Sequence, residues 1–119
     1  MKASLKVLLA VAVMVIAVAG LRSQSAENPK RIEIVASKYS FAPNEITLKK
    51  GEPVVLVLRS EDVTHGLKVK ELNIKVEVKK GHPVEIPVTP AQVGHFEGKC
   101  AHFCGVGHGS MKLEINVVE

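Results

Sequence analysis

Four residues with soft metal-binding side chains lie within one short stretch near the C-terminal end of the sequence. They are Cys100, Cys104, His108 and Met111, in the pattern C-x-x-x-C-x-x-x-H-x-x-M. Glycines recur through the second half of this stretch, and they allow its backbone to turn sharply. The stretch is therefore predicted to be a loop that wraps around a metal, so the rest of the chain must supply a rigid frame for it.

The donor types in this loop favour copper. Thiolate, imidazole and thioether ligands suit copper, whereas a thioether disfavours harder ions and is seldom used by zinc. A mononuclear electron-transfer centre needs one Cys, two His and a weak axial Met. That set would be complete with His65, Cys104, His108 and Met111. Cys100 would then be surplus, so the residues equally allow two thiolates that bridge two copper ions, each ion keeping one histidine.

The chain upstream of the loop has the alternation typical of short β-strands. Strands are predicted at 31–36, 45–48, 54–58, 67–69, 74–78, 84–88, 95–99 and 112–118. Turn residues separate them at regular intervals, which predicts an all-β Greek-key β-sandwich. In such a frame the loop joins the last two strands at one end, and His65 arrives there from a separate loop.

The N-terminal segment is apolar. Residues Leu5 to Leu21 contain no acidic group and are almost wholly apolar, with Lys2 and Lys6 at their N-terminal end. This predicts one hydrophobic helix that is an export signal or a short membrane anchor. Small residues near its end leave cleavage open, and a retained anchor is the preferred interpretation. We assign residues 1–22 to this segment, 23–30 to a linker and 31–119 to the metal-binding domain. The domain is therefore expected in the periplasm or on the outer face of the membrane.

Charge and motifs exclude several function classes. The formal charge of +4 falls to +1 from Glu27 onward, where 13 basic residues face 12 acidic ones. The sequence has no basic cluster and one Tyr, so nothing in it indicates nucleic-acid binding. It also lacks Rossmann, P-loop and G-x-S-x-G patterns. We therefore expect no catalysis by this chain alone.

Three segments of the sequence resemble a known family. They are Phe41–Leu48, Asp62–Gly66 and Cys100–Met111, within about residues 31–119. The family is the CuA-type cupredoxin domain of cytochrome c oxidase subunit II, which nitrous oxide reductase also carries. The resemblance implies a cupredoxin Greek-key sandwich or barrel that holds two copper ions in one binuclear centre.

The resemblance also implies a role for each donor. Cys100 and Cys104 would bridge the two coppers, and His65 and His108 would each be the terminal ligand of one. Met111 would be the weak ligand of one copper.

The other copper would take the backbone carbonyl of His102. Oxidase subunits commonly have Glu at this position, turned toward a magnesium site shared with subunit I, so His102 departs from the family there. Asp62 is interpreted as a hydrogen-bond acceptor behind His65 or as a solvated turn residue. His82 and His95 are interpreted as ordinary polar residues.

The function implied by the resemblance is electron entry into an oxidase. Single electrons would pass from a cytochrome c or small copper protein to the haem of subunit I of a haem-copper oxidase. The chain lacks Trp and has at most one predicted membrane span, so a free-standing periplasmic carrier stays open. So do Cu(I) binding or delivery through Cys100, Cys104 and Met111, and a simple disulfide in an oxidising compartment.

Overall fold

The computed structural model describes residues 28–119, which form nine strands in two sheets. The strands are β1 Lys30–Ser37, β2 Ser40–Ala42, β3 Glu45–Lys49, β4 Val54–Ser60, β5 His65–Val69, β6 Ile74–Val78, β7 Val84–Val88, β8 Gly94–Lys99 and β9 Lys112–Val118. Single 3-10 turns occupy Lys70–Leu72 and His108–Ser110. The all-β cupredoxin-like architecture is confirmed. The predicted N-terminal helix and its cleavage sites lie outside the described residues.

The two sheets have the strand orders β2-β1-β4-β7 and β3-β9-β8-β5-β6. Within them β1 pairs with β4 and β3 with β9 in parallel, while the other neighbours are antiparallel. Among residues 28–119, no helix has the length and apolar character needed to cross a membrane.

The core forms because alternate residues of each strand point inward. In β4 every second residue is buried, and Leu56 and Leu58 are fully buried. β9 has the same alternation, with Leu113 and Ile115 fully buried. Each such side chain contributes roughly 1.5–3 kcal/mol to folding. The apolar run predicted as a central strand is central, since β4 lies between β1 and β7.

The structure adds one strand to the predicted set and corrects one expectation. No pattern in the sequence predicts β2, Ser40–Ala42, because three residues are too short to carry a period. His65 is predicted in a loop, but it is the first residue of β5 and is fully buried. It belongs to the strand because it pairs with Val78 of β6.

Strand register brings the predicted donors to one end of the second sheet. β8 ends at Lys99, which pairs with Lys112 at the start of β9, so residues 100–111 project from that end as one loop. Lys68 of β5 also pairs with Lys99. β5 therefore begins, at His65, beside the base of the loop.

Candidate metal centre

The two cysteines lie side by side at the base of the loop. Cys100 and Cys104 are buried, with 6% and 7% of their surfaces exposed, and both are free thiols. Their sulfurs are 3.7 Å apart, whereas a disulfide needs about 2.05 Å. Burial, reinforced by the neighbouring Cys100, raises the pKa of Cys104 to about 11. Without a metal the Cys104 thiol therefore keeps its proton, and a metal must displace it.

Each sulfur has an imidazole of its own. The Nδ1 atom of His65 is 4.0 Å from the Cys100 sulfur, and the Nδ1 atom of His108 is 3.7 Å from the Cys104 sulfur. The ring of His65 is fully buried, whereas His108 is half-buried in the loop. The donors of the site thus fall into two thiol–imidazole pairs.

Asp62 fixes the ring of His65. The Nε2 atom of His65 is 2.6 Å from Asp62 Oδ1; because Nδ1 faces the sulfur, we assign the proton to Nε2, which donates to the carboxylate. Burial alone would raise the pKa of Asp62. Hydrogen bonds from the Lys38 backbone N–H, the His65 ring and the Val63 backbone N–H outweigh it and lower this pKa to about 2. Asp62 is therefore an ionised acceptor that orients a metal-facing nitrogen.

A weaker donor accompanies each sulfur. The sulfur of Met111, a residue only 1% exposed, is 3.8 Å from the Cys104 sulfur. The carbonyl oxygen of His102 is 3.2 Å from the Cys100 sulfur. The His102 side chain turns outward instead, with Nδ1 3.3 Å from Glu77 Oε1 and 41% of the side chain exposed. Only the main chain of His102 therefore faces the site.

Gly66 allows the backbone of the loop to approach β5 closely. A Cβ atom on Gly66 would lie 2.9 Å from the His102 nitrogen and 3.2 Å from the Ala101 carbonyl carbon. Backbone atoms cannot move aside easily, so a side chain here would push the loop outward. No role for Gly66 follows from the donor pattern, although a glycine inside a strand pattern is itself a signal of close backbone approach.

Tyr39 supports the other half of the loop, through a contact that no sequence pattern signals. The Tyr39 ring lies so close to Gly105 and Gly107 that a Cβ atom on either glycine would overlap it. The neighbouring Lys38 N–H donates to Asp62, 2.8 Å away. The turn between β1 and β2 therefore contacts both halves of the site.

The donor set fits copper. The donor atoms of His65, Cys100 and Cys104 all lie within 4.8 Å of one another, and all three residues are buried. Buried sulfur and imidazole donors match the preference of copper for soft ligands. The structure brings all six predicted residues together and leaves His82 and His95 on the surface. The described cluster is thus compatible with copper binding.

The chain is similar in sequence to known proteins. A family described as "Cupredoxin-like domain" matches residues 8–111. Cytochrome c oxidase subunit 2 of Thermus thermophilus is 32% identical over 96 residues, which cover 81% of this chain and 71% of that relative. The chain spans 57% of a second Thermus thermophilus subunit 2 and 22% of a probable Streptomyces coelicolor one.

Two solved structures extend the likeness to the fold. The periplasmic domain of cytochrome oxidase subunit II from Bradyrhizobium japonicum has a TM-score of 0.71 at 19% identity, covering 79% of this chain and 87% of that one. The metal-binding domain of the Cu(I)-exporting ATPase CopA from Streptococcus pneumoniae has a TM-score of 0.63 at 26% identity, covering 80% and 92%. The chain therefore belongs to the cupredoxin-like family, among the relatives of cytochrome c oxidase subunit 2.

Proposed function

We propose that this chain holds a binuclear copper centre of the CuA type and transfers single electrons. Cys100 and Cys104 bridge the two ions, and His65 and His108 are their terminal ligands. The Met111 thioether and the His102 carbonyl are the weak ligands.

The observation that carries this proposal is the pairing of donors around two unbonded sulfurs. A mononuclear centre needs one thiolate, and the second would be a buried group without a role. Here Cys100 has His65 and the His102 carbonyl beside it, whereas Cys104 has His108 and Met111. Two similar half-sites that share a sulfur pair suit two ions better than one.

The residues of the chain supply rigidity. When bound, the copper pair supplies reversible one-electron oxidation and reduction. The frame limits movement of the donors, because His65 and Cys100 are anchored to β5 and β8 and Met111 precedes β9. Asp62 holds the His65 ring in a single orientation. Burial of both thiols excludes water, so little rearrangement accompanies a change of charge.

The test is metal analysis with spectroscopy on reconstituted protein. We expect two copper ions per chain, a purple colour and an electron paramagnetic resonance spectrum in which one unpaired electron is shared by two copper nuclei. A blue protein with one ion would contradict the binuclear assignment.

The second part of the proposal concerns the host. We infer that the domain lies outside the cytoplasm and serves as the electron-entry subunit of a cytochrome c oxidase, accepting electrons from a cytochrome c or small copper protein. Kinship with oxidase subunit 2 supports this, as does the periplasmic location of the Bradyrhizobium domain. Phe103 adds an exposed aromatic ring 5.7 Å from the His108 ring. Purification from native membranes should recover a haem-containing subunit; recovery of the chain alone would favour a free-standing carrier.

A second candidate function is Cu(I) binding or delivery. The likeness to the Cu(I)-bearing domain of the exporting ATPase favours it, and so do the three clustered sulfurs of Cys100, Cys104 and Met111. A Cu(I) store stays colourless and gives no paramagnetic signal after mild oxidation. The spectrum of air-exposed, copper-loaded protein therefore separates the two candidates.

A further inference from the structure

Four lysines form a row across the second sheet, next to the candidate metal centre. Pairing places Lys112 of β9 opposite Lys99 of β8, Lys99 opposite Lys68 of β5, and Lys68 opposite Lys75 of β6. Neighbouring strands are about 4.8 Å apart, so the Cα atoms of the four lysines span roughly 15 Å across the sheet. We call these four residues the lysine row.

The lysine row faces solvent. All four lysines are exposed, and the chain neighbours on each side point into the core. Thus Leu67 and Val69 flank Lys68 and are fully buried, and Met111 and Leu113 flank Lys112 with 1% and 0% exposure. Because successive side chains of a strand point to opposite faces, the four lysines lie on the outer face of the sheet.

Little in the protein neutralises this charge. The carboxylate of Glu97 is 3.7 Å from the Lys99 nitrogen and 3.8 Å from the Lys112 nitrogen, so one acid serves two cations. Among residues 28–119, Lys68 and Lys75 make no ion pair. Glu77, the acid nearest the loop on β6, lies against His102 instead. Glu114, two positions after Lys112 on the same face, lies against His95. Of the three carboxylates on this face only Glu97 pairs with the row, and two of the four lysines share it.

This arrangement works against folding. Like charges directly opposite each other on neighbouring strands destabilise a sheet, and the row contains three such pairs in succession. The domain as a whole is close to neutral, so the row is a local concentration of charge. A feature that opposes folding is best explained by a partner that compensates for it.

The row adjoins the site through the chain itself. Lys99 precedes Cys100, and Lys112 follows Met111. A protein seated on this face would therefore lie one residue from two of the proposed copper ligands. Charge at such a position raises association rates of oppositely charged partners by electrostatic steering.

We propose that the lysine row is the docking surface for a soluble redox protein with an acidic face, which exchanges electrons with the centre. This inference rests on the proposed electron-transfer function and adds the charge of the partner. The partner is a protein that carries carboxylates around its own redox group.

The test uses the copper-loaded full chain and two probes of opposite charge. They are a lysine-rich cytochrome c and the same cytochrome after succinylation, which makes its surface acidic. Stopped-flow measurement should show the acidic probe reducing the centre about tenfold faster at low salt, with a rate that falls as salt rises. The lysine-rich probe should show the opposite salt dependence. Equal rates, or a faster lysine-rich probe, would overturn the proposal.

Charge reversal locates the effect. Lys68→Glu with Lys75→Glu should lower the rate with the acidic probe about tenfold or more at low salt. The matched control is Lys49→Glu with Lys50→Glu, which changes the net charge equally at the far end of the sheet, where Lys49 pairs with Val118. The control should change the rate less than twofold. An equal loss of rate in both variants would mean that only the net charge of the domain matters, and this would overturn the proposal.

Two further measurements distinguish a docked protein from a bound membrane. Carbodiimide cross-linking of the acidic probe needs no electron transfer, so links at Lys68 and Lys75 would support the surface even where the copper centre failed to form. Absence of such links would overturn it. Co-sedimentation with phosphatidylglycerol vesicles that is lost on reversal of Lys68 and Lys75, with an unchanged rate for the acidic probe, would assign the row to a lipid surface and also overturn it.

Discussion

At the scale of single residues, the two imidazoles of the site are held by different means. His65 is fully buried, and its outer nitrogen donates to an ionised Asp62 that is itself held by two backbone N–H groups. His108 has no comparable carboxylate among the described residues, and its position depends on the loop. The loop in turn rests on Tyr39 through Gly105 and Gly107. One half of the site is therefore fixed by a hydrogen-bond network and the other by packing.

Gly107→Ala tests the packing half. The backbone φ of Gly107 is −88°, which alanine adopts readily, and the atoms nearest to an added methyl group belong to the Tyr39 ring. We expect a loss of about 1–3 kcal/mol of unfolding free energy, as for overpacking, together with faster copper loss to a chelator. Gly109→Ala is the matched control, because a Cβ there meets no atom within 4 Å.

The same prediction requires coupling to Tyr39. In a Tyr39→Ala background, Gly107→Ala should cost much less than in the parent, as thermal unfolding of the four variants would measure. Additive effects of the two substitutions would mean that the ring and the glycine do not interact as described.

Replacement of each cysteine by serine should have unequal effects. The Cys104 sulfur lies within 3.8 Å of the Cys100 sulfur, the His108 nitrogen and the Met111 sulfur. Cys100→Ser leaves the contacts of Cys104 with His108 and Met111 intact, so we expect one retained copper and loss of the mixed-valence signal. Cys104→Ser removes the shared donor and should abolish most copper binding. Metal analysis and paramagnetic resonance measure both outcomes, and an unchanged purple spectrum for Cys100→Ser would contradict the bridging role.

At the scale of elements, the features that depend on local pattern are the ones that the sequence predicts. The strands at 74–78, 84–88 and 112–118 have the predicted limits, because apolar and polar residues alternate within each of these segments. The loop of candidate ligands is likewise predicted from residue type and spacing alone. Contacts between distant segments are not visible in the sequence: the Tyr39 ring over two loop glycines and the lysine row both join residues far apart in the chain. The absence of a basic cluster in the linear sequence is therefore true of the chain but not of the folded surface. β2 is missed for a different reason, because three residues are too short to show alternation.

His95 provides a pH-dependent contact between two elements. On the outer face of β8 its Nδ1 is 2.5 Å from Asn116 Oδ1, and its Nε2 is 2.6 Å from Glu114 Oε2. The Asn116 hydrogen bond, followed by that to Glu114, raises the pKa of His95 above 6.5; Glu45 also faces it. The protonated ring is thus favoured by folding. Its contribution to stability is present below pH 6.5 and is lost as pH rises through the higher folded value.

Asn116→Ala tests this contact. We expect the pKa of His95, followed by NMR of the imidazole protons, to move down toward 6.5. The stability difference between parent and variant should be larger at about pH 5 than at about pH 8, since only the protonated ring gains from the contact. His82→Ala serves as a control that removes an exposed histidine elsewhere. A variant with an unchanged His95 titration would mean that Asn116 is not the main cause.

At the scale of the whole molecule, the candidate metal centre joins parts of the chain that are remote in sequence. His65 and Cys100 are 35 positions apart, and they meet only when β5 and β8 are in register. The same register builds the lysine row on the opposite face of the sheet. Site and proposed docking surface are therefore two faces of one sheet end, and both disappear together when that pairing is lost.

This dependence predicts that copper stabilises the whole domain. An unfolded chain cannot present both thiol–imidazole pairs, so copper binds the folded form and its binding free energy adds to stability. At a free copper level of about 1,000 times the dissociation constant the gain is about 4 kcal/mol. For a domain of this size that raises the unfolding temperature by roughly 10 °C or more. Calorimetry of copper-loaded and chelator-treated protein under reducing conditions measures the difference. Cys104→Ser should show almost no such increase. If copper left the unfolding temperature of the parent unchanged, the ion would not be bound by the folded domain.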